Sequence, residues 1–172
     1  MKFKFYQMRF PIALFVFLLF TGCKKDEEVA GGERIEIYKL EAYNLVQGKC
    51  QVAPNGIALD DNPVIANNDI LEYIETTHAF RVTDAAKQRV SALRDGQPFA
   101  VTVDKTVIYY GIYKPSLSSS SCDHSITLGN DWSSPNRLRF NLGYPSGGGS
   151  GITDQRGDPL IIGTLKKQGK LR

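Results

Sequence analysis

Residues 10–20 form an almost unbroken apolar run, whereas from residue 34 onward apolar residues come in short clusters separated by turn-forming stretches. The clusters predict strands. Ile35, Ile37, Tyr38 and Leu40 begin an extended segment continuing to Val46, and residues 48–68, rich in Gly, Pro, Asn and Asp, read as a long irregular connection. Ile70–Ile74 and Ala79–Val82 flank the polar break Glu75–His78 and read as a hairpin. Ala86, Val90 and Leu93 recur at i, i+4 and i+7, which predicts a helix over residues 84–94, capped by Thr83 and ended near Gly96. Phe99, Val101 and Val103 alternate with smaller residues, and the β-rich run Thr106–Tyr113 follows Asp104-Lys105, giving a second hairpin with Gly111 read as a bulge. Beyond the serines of residues 116–121, strands are expected at 125–128 and 137–142. Pro159 opens a short C-terminal helix to about Lys167 with Leu160, Ile161 and Leu165 on one face, weakened by Gly163. The pattern predicts an α+β fold over residues 34–172: a mainly antiparallel sheet with one dependable packed helix.

The run at residues 10–20 is shorter than the roughly 20 apolar residues a membrane span needs, and Pro11 interrupts it. With Lys2, Lys4 and Arg9 before it and Thr21-Gly22 after it, residues 1–22 read as a secretory signal peptide. Cys23 directly after Thr21-Gly22 resembles the lipobox of bacterial lipoproteins, with Phe20 where such motifs usually carry Leu. The resemblance implies that Cys23 is acylated, palmitate included, and becomes the N-terminus of a lipid-anchored protein. Cys23-Lys24-Lys25-Asp26-Glu27-Glu28 looks like the start of mature lipoproteins of the Bacteroidetes class, which implies an outer-membrane lipoprotein exposed at the cell surface. The same charges also read as a solvated tether over residues 23–33.

Removing Lys2, Lys4 and Arg9 with the leader makes the 21 basic residues equal in number to the 18 acidic ones. The apparent basicity belongs to the leader, so no cationic footprint argues for nucleic acid. The remaining length of about 150 residues suits a single domain. With Cys23 assigned to lipid, Cys50 and Cys122 are left as an even pair, read as a disulfide outside the cytoplasm. Two free thiols are the alternative, and no Cys-x-x-Cys spacing suggests a metal site.

Residues 63–128 carry an ordered set of features: Pro63, Asn68-Asp69-Ile70, Thr77 to Thr83, a helix from Asp84 to Leu93, then Gly96-Gln97-Pro98-Phe99 through Val103-Asp104. This set resembles the small β-α-β subdomain in the periplasmic region of SecD, the protein-export subunit. Ile108-Tyr109-Tyr110-Gly111 followed by Leu117-Ser118-Ser119 looks like uncharacterised Bacteroidetes lipoproteins with similar modules. The resemblance implies a fold and hints at an accessory role in an envelope or export assembly. It carries over no catalytic residue.

His78 and His124 are the only histidines, and Asp123 and the serines at 116 and 118–121 lie near His124. A hydrolase needs a nucleophile bonded to a histidine that a carboxylate orients. Asp123 and His124, adjacent on a strand, would point to opposite faces, and no nucleophile elbow is present. A polar loop beside a disulfide is the stronger reading, so no catalytic residue is assigned. Asp60, Asp61, Asn62, Asn67, Asn68 and Asp69 offer oxygen ligands for calcium. Their spacing fits no EF-hand, turn and cap roles explain them, and no metal or other cofactor is assigned. Arg156-Gly157-Asp158 reads as a turn and cap ahead of Pro159 rather than as an adhesion tripeptide.

Tyr109, Tyr110, Tyr113, Trp132 and Tyr144 are the rings expected to reach a surface, where aromatic platforms bind glycans or peptides; the competing reading is that Tyr109 and Tyr110 alternate, so that one faces the core and the other the solvent. Trp132, in the loop of residues 130–136, is the foremost binding candidate, with capping of the core as the competing role. The expected function is a non-enzymatic, lipid-anchored binding module of the cell envelope, with a protein or glycan ligand. A hydrolase and an accessory subunit are the alternatives. Oligomeric state and ligand identity are not legible.

Overall fold

The computed structural model describes residues 33–131, 134–147, 149 and 151–172. The expectations for the signal peptide, the lipidated Cys23, the tether up to residue 32 and Trp132 lie outside them. Among the described residues no helix is long and apolar enough to cross a membrane.

The chain forms β1 (Ile35–Ala42), β2 (Ala58–Leu59), β3 (Ile70–Ile74), β4 (Ala79–Val82), α1 (Asp84–Ser91), β5 (Pro98–Val103), β6 (Thr106–Tyr113), β7 (Cys122–Asn130), β8 (Arg137–Tyr144) and α2 (Pro159–Lys167). The strands make one eight-stranded sheet in the order β2-β1-β5-β6-β7-β8-β4-β3. All neighbours are antiparallel except β6 and β7, which run parallel with Gly111 opposite Ile126 and Tyr113 opposite Leu128. The α+β expectation therefore holds, the C-terminal helix forms over Pro159–Lys167 as expected, and one parallel strand pair is added.

Side-chain alternation along the strands builds two cores. Ile35, Phe99, Val101, Leu128, Leu138 and Phe140 point to the face covered by α1 and α2, whose Ala86, Val90, Ile161 and Leu165 pack onto them. Leu40, Ala100, Ile112 and Cys122 point to the other face, where Val52, Ile57 and Cys50 from the segment between β1 and β2 cover them. A disulfide joins Cys50 to Cys122 across a sequence separation of 72, with Cα atoms 5.2 Å apart. It ties the covering segment to the start of β7. On the rest of this second face, Arg81 of β4 and Arg139 and Asn141 of β8 are half-buried among the described residues.

Local chemistry explains the element ends. The Thr83 hydroxyl accepts from Ala86 N and donates to Asp69 Oδ1 at 2.7 Å, fixing the start of α1. Asp158 caps α2 by accepting from Leu160 N. Asp104 and Lys105 both take positive φ, as the two-residue hairpin turn between β5 and β6 requires. The last residues pair with β3: Leu171 lies parallel to Tyr73, and Arg172 N donates to Tyr73 O at 2.8 Å, so the β3 edge is partly covered.

Several expectations are corrected. The first strand stops at Ala42 rather than Val46, and Leu45 instead pairs with Val52 inside the covering segment. The helix predicted to residue 94 ends at Ser91. Gly111 is not a bulge: it pairs in register with Phe99, and the irregularity falls between Val101 and Thr102. A Cβ at Gly111 would lie 2.2 Å from Phe99 Cζ and 2.7 Å from Ile126 O, so close approach of neighbouring strands is what requires glycine there. Leu160 is 55% exposed, leaving Ile161, Thr164 and Leu165 as the buried face of α2. Glu33, assigned above to the tether, packs against α2: its carboxylate accepts from Thr164 Oγ1 and Lys167 Nζ.

Candidate ligand-binding groove

On the second face Thr127 pairs with Asn141 and Gly129 with Arg139. The register that sends Ile126, Leu128, Leu138 and Phe140 into the helix-covered core therefore sends these polar residues to the opposite side. Gly129 leaves a hollow, since a Cβ there would approach Lys114 O at 3.0 Å. Lys114 and Ser116 from the β6–β7 connection, Tyr144 from the end of β8, and Asn130 and Asp131 from the end of β7 wall the hollow into a groove of about 350 Å³. A neighbouring hollow of about 420 Å³ shares Ser116, Asn130 and Asp131 and is also bordered by Lys87, Leu117 and Pro135.

Fixed ionic contacts set the walls. The Lys114 side chain is only 4% exposed; Nζ donates to Asp95 Oδ1 at 3.0 Å and to Ser120 Oγ at 2.8 Å, and stands 5.8 Å above the Tyr144 ring. Burial works to raise the Asp95 pKa, but hydrogen bonds from Ser118 and Lys114 outweigh it and hold the carboxyl below its usual range. Tyr144 Oη donates to the carbonyls of Ser116 and Ser118, which fixes the β6–β7 connection against the groove. Arg139 Nη2 meets Asp131 Oδ2 at 3.1 Å. Burial lowers the pKa of Lys87, while the negative Asp131 nearby opposes that shift. These groups offer a polar ligand donors, acceptors and one aromatic ring.

The residues singled out from the sequence are dispersed. Tyr109 and Tyr113 are 3% and 2% exposed. Tyr109 packs edge-on against Phe140 with ring centroids 6.2 Å apart, and burial raises its phenol pKa well above the ordinary value. Both were expected at the surface; the strand register turns both rings into the core instead. Tyr110 faces the other side and, with His124, Gln51 and Gln155, lines a separate hollow of about 190 Å³. Trp132 lies outside the described residues; its sequence neighbours Asn130, Asp131, Ser134 and Pro135 all border the groove or the adjoining hollow.

His78 Nδ1 lies 2.9 Å from Tyr73 Oη, which itself donates to the Arg156 carbonyl, so the shared proton belongs on Nδ1. Burial first, and then the Arg156 charge, lower the His78 pKa. Among the described residues, no serine hydroxyl or carboxylate hydrogen-bonds to His78 or His124. Among the described residues, the contacts that a hydrolytic triad would need are not formed.

The six Asx residues do not converge on a cation. Asp60 Oδ1 accepts from Asn62 N, and its other oxygen meets Lys39 Nζ at 2.9 Å. Asn67 Oδ1 accepts from Ile35 N, and Asp69 is held by Thr83, Ala66 N and Arg89. Among the described residues no cluster of three or more His, Cys, Asp or Glu is arranged to hold a metal.

The sequence reading placed Asp131 in the candidate loop of residues 130–136 but missed Arg139, Asn141 and Lys114. The signal for the first two is the polar stripe Arg137, Arg139, Asn141 at i, i+2 and i+4 in a strand whose other residues are apolar. Lys114 carries no such signal, because it reaches the groove only through the parallel pairing of β6 and β7.

No protein-family model, curated protein or solved structure matches the chain.

Proposed function

We propose that the chain is a lipid-anchored binding module of the cell envelope that takes a glycan in the groove over β7 and β8. The convergence of Thr127, Asn141, Arg139, Asp131, Lys114 and Tyr144 around an open hollow of about 350 Å³ carries this reading. A groove with amide, carboxylate, guanidinium and hydroxyl groups beside one ring suits a hydroxyl-rich ligand, whose buried hydroxyls need partners at defined positions. The leader and Cys23 support export and anchoring at the outer membrane, the charges after Cys23 support display on the outside, and the Cys50–Cys122 disulfide suits an oxidising compartment.

The test is a glycan array probed with the full chain in detergent, comparing wild type with Asn141→Ala. Asn141 has a half-buried side chain on the groove floor, so its truncation is expected to leave stability within about 0.5 kcal/mol of wild type. Affinity for the bound glycan is expected to fall about tenfold, the effect of losing roughly 1.4 kcal/mol of hydrogen bonding. Trp132→Ala is expected to lower affinity by about 1 kcal/mol, the worth of an aromatic contact. Wild-type binding by Asn141→Ala would refute the groove as the site. Capture of an envelope protein that no saccharide displaces would favour the accessory-subunit role suggested by the SecD resemblance.

A further inference from the structure

The second face carries a charge arrangement that its own packing does not require. Arg81 of β4 stands directly opposite Arg137 of β8, and Arg139 follows two residues along the same side of β8. Like charges directly opposite each other in a sheet are destabilising. The neighbouring acids offset this only in part. Arg81 Nε meets Glu72 Oε1 at 3.0 Å and Arg139 meets Asp131, but Arg137 forms no ion pair with any described residue. The Nε atoms of Arg137 and Arg139 are buried without a hydrogen-bond partner. Glu72 reports the local field: the Arg81 hydrogen bond, with further attraction from Arg172 and Arg137, holds its carboxyl below the usual range. The side chains of Arg81 and Arg139 are 42% and 40% exposed and Arg137 between them is half-buried rather than buried, so an anion can reach the row.

We infer that this arginine row is an anion subsite continuous with the groove, and that the ligand is a carboxylate-bearing polysaccharide that places an acidic sugar against Arg137. The inference rests on the glycan reading of the groove. Arg139 belongs to both, since it lines the groove floor and neighbours Arg137 along β8. A guanidinium presents a planar fork that matches a carboxylate, and an incoming carboxylate would neutralise the one unpaired cation of the row. Charge complementarity selects the acidic ligand, and the fold disfavours an acidic peptide. Backbone N–H and C=O groups of β8 are spent on β7 and β4, so an extended peptide would gain none of the main-chain hydrogen bonds that an open sheet edge gives. A local rule broken with only partial structural compensation is the expected mark of a functional surface.

The test uses the full chain in detergent against immobilised polygalacturonate, neutral dextran and poly-glutamate. Wild type is expected to bind polygalacturonate, with affinity falling as salt rises, and to bind dextran and poly-glutamate at least tenfold more weakly. Arg137→Gln is expected to lower polygalacturonate affinity at least tenfold with no loss of thermal stability, and Arg137→Lys to recover only part of it. Undiminished polygalacturonate binding by Arg137→Gln would overturn the inference, as would equal affinity for poly-glutamate. Binding to dextran that Asn141→Ala weakens and Arg137→Gln does not would overturn the acidic subsite while leaving the groove reading standing. Failure to bind any saccharide would overturn both.

Discussion

Gly111→Ala is expected to destabilise the fold by about 2–3 kcal/mol, although it adds a single methyl group. Gly111 sits at the middle of the sheet, paired with Phe99 on one side and Ile126 on the other. The new Cβ would lie 2.2 and 2.7 Å from two atoms of the Phe99 ring and 2.7 Å from Ile126 O. Phe99 is 1% exposed and rests edge-on against Phe140 with centroids 5.8 Å apart, so its ring has no free space to retreat into. Ile126 O can withdraw only by parting β6 from β7. Overpacking of this kind costs about 1–3 kcal/mol, and displacing an aromatic pair adds about 0.5–1.5 kcal/mol. Replacing glycine in a strand returns roughly 0.5–1 kcal/mol of unfolded-state entropy. Urea denaturation followed by circular dichroism would read the difference. With a slope of about 2 kcal/mol/M, the midpoint should fall by about 1 M while the slope stays unchanged. Pairing the change with Phe99→Leu, which removes the clashing ring atoms, should cost less than the sum of the two single changes. A Gly111→Ala midpoint indistinguishable from wild type would refute the close-approach explanation.

Reduction of the disulfide, or the double change Cys50→Ser with Cys122→Ser, is expected to lower stability by about 4 kcal/mol, from chain entropy over a sequence separation of 72. Denaturation with and without a thiol reductant checks this, and identical midpoints would contradict it. Asp154 is held at a pKa of about 2, chiefly by hydrogen bonds from Arg156 that outweigh its partial burial. Because its folded pKa lies below the ordinary value of 3.8, its contribution is full above about pH 4 and disappears as pH falls toward about 2. Asp154 is 42% exposed, so screening limits that contribution to about 1 kcal/mol or less. Asp154→Asn should flatten the stability profile between about pH 4 and pH 2 by that amount, and an unchanged acid limb would contradict the assignment.

Local elements were legible where neighbours in sequence decide them. Thr83 and Asp158 cap their helices as their residue types suggest, since a cap is made by atoms within three residues. The hairpins of Ile70–Val82 and Phe99–Tyr113 follow from alternation and the breaks between strands. Tyr109 and Tyr113 were misplaced because alternation tells which residues share a face, not which face is buried. Gly111 was misread because its constraint comes from Phe99 and Ile126, both distant in sequence.

Neighbours in sequence thus set most of the strand and helix segments, the capping residues, Cys50 and Cys122 as the candidate pair for a disulfide, and the alternation that splits each strand into two sets of side chains. Only the tertiary structure decided which set becomes core. The parallel joining of β6 to β7 brings Lys114 against Gly129, and the order β7-β8-β4 sets Arg137 and Arg139 beside Arg81 on one face. These juxtapositions depend on strand order and direction. Such long-range choices are made by the total burial of the sheet, and no short stretch of chain encodes them.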